Sequence, residues 1–131
     1  MQFNIQELAT IQLSNLPIKI IIINNDGYKA IKDTQDSFFD CRFGVDLASG
    51  LSLPSYEKIA KAYDIAYRFI RADKDVNGVL NEISQDLRPY ICEVFVDPDT
   101  PLLPRAGYVK HSDNSVQRFP MQDMYPLLPR D

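Results

Sequence analysis

Three short apolar runs mark this chain, separated by stretches in which apolar residues return at helical spacing. The first run, Ile18 to Ile23, holds four consecutive isoleucines at Ile20 to Ile23. A run that short, apolar on both faces, predicts a strand covered by helices on each side, as in a parallel sheet. Residues 65–70 and 90–96 form the second and third runs. Residues 4–15 predict a helix with Ile5, Leu8, Ala9 and Leu16 near one face; Asn4 and Glu7 stand at capping-box spacing and Pro17 ends it. A short helix over 28–35 follows the first strand. Pro54, at a first-turn position, opens a helix with Tyr56, Ile59, Ala60 and Tyr63 on one face. Asp73 is the expected N-cap of the next, whose stripe is Val76, Val79, Leu80, Ile83 and Leu87. Strands alternating with helices predict parallel pairing and right-handed connections. The expected fold is a three-layer α/β/α arrangement with a mostly parallel sheet, strand 18–23 lying beside 65–70 or 90–96.

Two segments leave this pattern. Residues 37–53 lack either period and contain Gly44 and Gly50, which predicts a loop; ordered loops of more than about 12–15 residues are uncommon in compact domains and often functional. Phe38 and Phe39 are its expected anchors, and Arg42 is expected to be exposed. From Asp97 onward the composition shifts: six of the nine prolines fall at 98, 101, 104, 120, 126 and 129. Such a tail is extended and forms neither a helix nor a central strand. Its apolar residues, among them Leu102, Leu103, Phe119, Met121, Met124, Tyr125, Leu127 and Leu128, are too many for a pure linker. Residues 1–97 are therefore expected to form one domain, and 98–131 an extended C-terminal tail packing on that domain or on a partner subunit.

The candidate chemistry sits where the first strand stops, on Asn24, Asn25, Asp26, Gly27 and Tyr28. Open α/β sheets bind ligands at the carboxyl ends of their strands. Amide oxygens, a carboxylate and a turn carbonyl are hard donors that suit magnesium or calcium, and Gly27 lets the backbone turn tightly. The N-terminus of helix 28–35 would offer amide donors to an anion. A ligand-free turn rich in Asn, Asp and Gly is the plain structural alternative.

Charge and composition narrow the field. A net charge of −4, with no run of Lys or Arg, argues against a nucleic-acid surface. No apolar stretch reaches the roughly 18 residues of a membrane span, and no signal-peptide pattern opens the chain, so a cytoplasmic location is expected. Cys41 and Cys92 belong to no C-x-x-C pair and are expected to be free thiols. His111, the only histidine, lies in a polar stretch far from the turn, which removes Ser-His-Asp and Cys-His chemistry. No G-x-G-x-x-G or P-loop lysine supports a Rossmann-type nucleotide binder.

In fixed order, FNIQELATIQ at 3–12, NNDGY at 24–28 and TQDSFFDCRFG at 34–44 resemble the C-terminal, diphosphate-binding domain of thiamine diphosphate-dependent enzymes, in the acetolactate synthase-like branch of the pyruvate decarboxylase superfamily. The resemblance runs from Met1 to about Pro98 and more loosely through the tail. It implies thiamine diphosphate and Mg2+ as cofactors, Asn25 as side-chain metal ligand, Gly27 as donor of a backbone carbonyl, and Asn24 to Tyr28 as the cofactor-binding turn. The family's metal motif opens with Gly-Asp-Gly, usually followed by Ser and a sequence close to MQFNIQEL. The resemblance thus places that motif, its aspartate ligand and at least one earlier strand before Met1.

On the same basis this chain carries no catalytic residue, since the family's activating glutamate comes from another domain, usually of a neighbouring subunit. The chain alone is expected to bind cofactor and magnesium poorly and to turn nothing over. Its expected partners are a chain or subunit supplying the pyrimidine-binding domain and the upstream half of the site, and a small 2-keto acid undergoing decarboxylation or carboligation. The alternative is a non-catalytic truncated remnant that serves only as an association module.

Overall fold

The structure, a computed structural model, describes residues 4–113 and 115–126. It divides into two compact units, Met1–Asp99 and Thr100–Asp131.

In the first unit the elements run α1 (Glu7–Leu13), β1 (Lys19–Asn24), α2 (Lys29–Phe38), α3 (Tyr56–Ala62), β2 (Ala66–Ile70), α4 (Asp73–Gln85) and β3 (Tyr90–Phe95). The sheet order is β1-β3-β2 and both pairings are parallel, with Ile20 and Tyr67 each opposite Ile91, and Ile22 and Phe69 each opposite Glu93. Of the two neighbours expected for the first strand, it takes 90–95. Helices cover both faces. On one, Ile20, Ile22, Tyr67 and Ile91 pack with Leu8 of α1 and Tyr56, Ile59 and Ala60 of α3. On the other, Ile70, Tyr90, Cys92 and Val94 pack with Val76, Val79 and Ile83 of α4.

Several expectations need correction. β1 is not buried on both faces: Ile23 is 59% exposed and Ile21 is exposed beside it. It is an edge strand, and the cluster under α4 draws on β2 and β3 but not on β1. The strand buried on both faces is β3, where Tyr90, Ile91 and Cys92 are essentially inaccessible. No Asn4–Glu7 capping box forms; α1 begins at Glu7, and its first turn is closed by backbone bonds from Leu8 N to Ile5 O and from Ala9 N to Gln6 O, both 3.1 Å. α3 is capped by Ser55, whose Oγ accepts from Lys58 N at 3.3 Å, with Pro54 just before the cap. In α4, Ala72 takes the cap position, and Asp73 and Asp75 lie in the first turn, where a negative charge complements the helix dipole. Leu87 falls beyond the end of α4 and is exposed, which leaves Val76, Val79 and Ile83 as the packed stripe.

The second unit is not simply extended. Two short antiparallel pairs form, β4 (Arg105–Ala106) with β7 (Met124–Tyr125) and β5 (Tyr108–Lys110) with β6 (Val116–Arg118). Phe119 donates its amide to Gly107 O at 2.9 Å and lays its ring against that glycine. His111 is exposed in the turn between β5 and β6. Leu127 and Leu128 lie outside the described residues. Among the described residues no helix is long and apolar enough to cross a membrane.

Candidate functional site

The turn that follows β1 is built by its own polar side chains. Asn24 Oδ1 accepts from Asp26 N at 2.9 Å, closing an Asx turn, and Asp26 takes a left-handed φ of 56°. Asp and Asn adopt that region more readily than other non-glycine residues. Asn25 and Gly27, both half-buried, line one cleft of about 470 Å3 at the carboxyl edge of the sheet, together with Asp26, Lys29, Lys32 and Asp46. Tyr28 occupies the N-cap position of α2, without a side-chain cap.

The far wall of the cleft is the long loop, and it is locked onto this turn. Gly27 and Asp46 form an isolated antiparallel bridge, whose bond runs from Tyr28 N to Val45 O at 2.8 Å. Gly27 thus occupies the narrow, non-hydrogen-bonded position of the pair, where a residue's own N–H and C=O point away from the partner strand. A Cβ on Gly27 would stand 2.2 Å from Val45 O. Glycine is required here for close approach, and the approach leaves its carbonyl directed away from Val45. Val45 itself is 1% exposed. Asp46 caps a 3-10 turn, Leu47–Ser49, in a reciprocal box: Ser49 N donates to Asp46 Oδ1 at 2.9 Å, and Asp46 N donates to Ser49 Oγ at 3.0 Å. The Ser49 hydroxyl and amide hold the Asp46 carboxyl below its usual range.

Of the two expected loop anchors, Phe38 is half-buried at the end of α2 and Phe39 is not an anchor. Phe39 is 66% exposed, and Val45 takes the buried place; α2 runs on through Phe38. Arg42 donates through Nε and Nη2 to Asp36 at 2.6 and 2.8 Å, so its guanidinium is engaged on α2.

The residue that pattern reading missed is Glu93. It is 6% exposed on the central strand. Its Oε1 accepts from Asn24 Nδ2 and its Oε2 from Tyr67 Oη, each at 2.5 Å. Burial pushes the Tyr67 phenol above its ordinary range, reinforced by its bond to Glu93; burial raises Tyr56 as well. One signal was present in the sequence, a lone acid inside the otherwise apolar run YICEVFV.

The donor set decides what the cleft could hold. Among the described residues no group of three or more His, Cys, Asp or Glu side chains converges. A metal here would rest on neutral oxygens such as the Asn25 amide and the Gly27 carbonyl, hard donors of the kind magnesium accepts when phosphate oxygens complete its shell. Lys29 and Lys32 bring positive charge to the same cleft, although Lys29 is paired with Asp33, and Lys32 with Asp99 at 3.3 Å. These residues fit a metal–diphosphate group; they do not fit a metal held by protein alone.

Comparison with known proteins gives this geometry a context. Residues 1–94 match the family described as thiamine pyrophosphate enzyme, C-terminal TPP binding domain. The chain is similar to the acetolactate synthase large subunit of Cyanidium caldarium, 31% identical over 96 residues that make up 72% of this chain and 16% of the relative. It is similar also to the probable acetolactate synthase large subunit of Methanococcus aeolicus, 28% identical over 120 residues, 89% of this chain and 20% of the relative. Acetolactate synthase 1, chloroplastic, of Oryza sativa subsp. japonica is 25% identical over 115 residues, 82% of this chain and 18% of the relative. The chain thus spans about a fifth of the length of the curated relatives it matches, or less.

Proposed function

Because the chain belongs to the family of C-terminal TPP-binding domains of thiamine pyrophosphate enzymes, we propose that it is the diphosphate- and magnesium-binding part of an acetolactate synthase-like enzyme acting on 2-keto acids. In this reading the Asn25 amide oxygen and the Gly27 carbonyl are magnesium ligands, and Asn24, Asp26 and Tyr28 complete the turn that receives the diphosphate. Lys29 and Lys32 offset its charge from the cleft wall. When bound, the cofactor supplies the electron sink for decarboxylation and carboligation of 2-keto acids. This chain's own residues bind and orient, and none of them is assigned an acid–base step. The observation that carries the reading is Gly27, held against Val45 by a contact only glycine allows, in one cleft with Asn25.

The catalytic complement is proposed to come from a partner chain or subunit that supplies the pyrimidine-binding domain and the upstream half of the site. Residues 1–97 would be the binding domain and 98–131 a separate C-terminal segment. The free thiols, Cys41 exposed and Cys92 buried, suit a reducing, cytoplasmic setting. One observation favours the non-catalytic association role, the exposed Ile21 and Ile23 on edge strand β1, since unpaired apolar edges invite pairing with another chain.

Titration calorimetry tests the reading. Thiamine diphosphate should bind the chain weakly and only with Mg2+, and Asn25→Ala should lower that affinity about tenfold or more, the scale of a lost contact to a charged group. Binding that ignores Mg2+, or that Asn25→Ala leaves unchanged, would remove the metal role. Pyruvate turnover is expected only after the partner chain is added, whereas an association module would capture the partner without turnover.

A further inference from the structure

We propose that Glu93 is a positioning residue for the cofactor-binding turn: from the central strand it fixes the orientation of the Asn24 side-chain amide, and Asn24 in turn fixes the backbone of Asp26 between Asn25 and Gly27. The proposal rests on the reading that residues 24–28 receive the cofactor.

The geometry is a relay of three side chains across three strands. Tyr67 on β2 donates to one carboxylate oxygen of Glu93 on β3, and Asn24 at the end of β1 donates to the other, both at 2.5 Å. The opposite end of the Asn24 amide accepts from Asp26 N at 2.9 Å. An asparagine amide has one accepting end and one donating end. Flipped, it would set its NH2 against the Asp26 N–H and its oxygen against the carboxylate, so both contacts would become repulsive. The carboxylate beneath Asn24 and the Asp26 N–H therefore favour the same orientation, the one that closes the turn. An apolar residue at 93, like its register partners Ile22 and Phe69, would leave the Asp26 N–H alone to hold the amide and the Asn24 NH2 without a partner on the sheet. Among the described residues Glu93 has no ion-pair partner. Burying an acid with only neutral donors is costly, and its hold on Asn24 gives that burial a purpose which packing does not.

The test reads the turn itself, apart from any activity. Solvent-exchange rates of the Asp26 amide are measured by NMR in the wild type, Glu93→Leu, Glu93→Gln, Asn24→Asp and the double variant N24D/E93Q. Magnesium-dependent thiamine diphosphate affinity is measured in parallel. Glu93→Leu and Asn24→Asp should each speed Asp26 exchange at least tenfold and weaken cofactor binding by a similar factor, while the Cys92 and Val94 amides of β3 stay protected. Glu93→Gln should stay near wild type, because its amide oxygen still accepts from Asn24 while the Tyr67 hydroxyl turns to accept from its NH2. In N24D/E93Q the donor and acceptor trade places at unchanged net charge, and slow exchange and binding should return. If Glu93→Leu does not fold, the comparison of Asn24→Asp with N24D/E93Q decides. Wild-type exchange at Asp26 in Glu93→Leu, or no recovery in the double variant, would overturn the proposal. A wild-type chain that binds no cofactor but shows the exchange pattern would sink the functional reading and leave the relay standing.

Discussion

The Gly27 backbone and the Val45 carbonyl meet so closely that an added Cβ would lie 2.2 Å from the oxygen. This contact joins the turn after β1 to the long loop and sets the width of the cleft between them. The obstruction is backbone rather than the end of a flexible side chain, so it cannot yield by a rotamer change. Gly27→Ala is expected to lose about 1–3 kcal/mol of stability, the scale of overpacking at a close contact. Urea denaturation measures the loss. The Val45 and Asp46 amide resonances should shift if the loop moves away to make room.

The central and edge strands are expected to respond unequally to truncation. Ile91, fully buried under α1 and α3, should lose about 2–5 kcal/mol on replacement by alanine. Ile23, mostly exposed on the edge strand, should change stability by less than about 0.5 kcal/mol. Denaturation midpoints of the two variants give the comparison directly, and equal effects would contradict the assignment of β3 as the central strand.

That inequality shows what the sequence could and could not reveal. The three apolar runs and the helical stripes between them were enough for a parallel α/β/α fold, because burial period and chain order constrain that architecture strongly. Which run sits in the middle was not legible: Ile20 to Ile23 is more apolar than residues 90–95, yet β1 lies at the edge and carries Glu93's partner at its end. Strand order is settled by which faces the helices cover, and β1 receives cover on one face only. The turn Asn24 to Tyr28 stood out by composition. Its supports did not, because Val45 and Asp46 arrive from a loop without period, and Glu93 arrives from a strand 69 residues away. Helix starts shifted by one to three residues for the same reason, since backbone bonds or a neighbouring serine satisfied amides that a more distant cap could have taken.

Alkaline titration follows from the bond between Tyr67 and Glu93. The folded phenol titrates above its ordinary value of 10.0, first because it is buried and then because it donates to the carboxylate. The fold therefore favours the protonated phenol. The stabilisation this brings is complete below pH 10 and is lost as pH rises from there through the higher folded value. Ultraviolet titration of the seven tyrosines should show a last ionisation that Tyr67→Phe removes and Glu93→Gln moves to lower pH. A Tyr67→Phe chain that kept the last step unchanged would contradict the assignment.

Whether the Asn24 to Tyr28 turn receives a magnesium–diphosphate group is decided by NMR titration of the labelled chain with thiamine diphosphate. This method detects weak binding and reports its position residue by residue. With Mg2+ present, the amides of Asn25, Asp26, Gly27 and Tyr28 should shift progressively and together, accompanied by Asp46 across the cleft. Cofactor without Mg2+, or Mg2+ alone, should produce little change, and Asn25→Ala should abolish most of the response. Shifts confined to another surface, or none at millimolar cofactor with Mg2+, would remove this turn as the binding site.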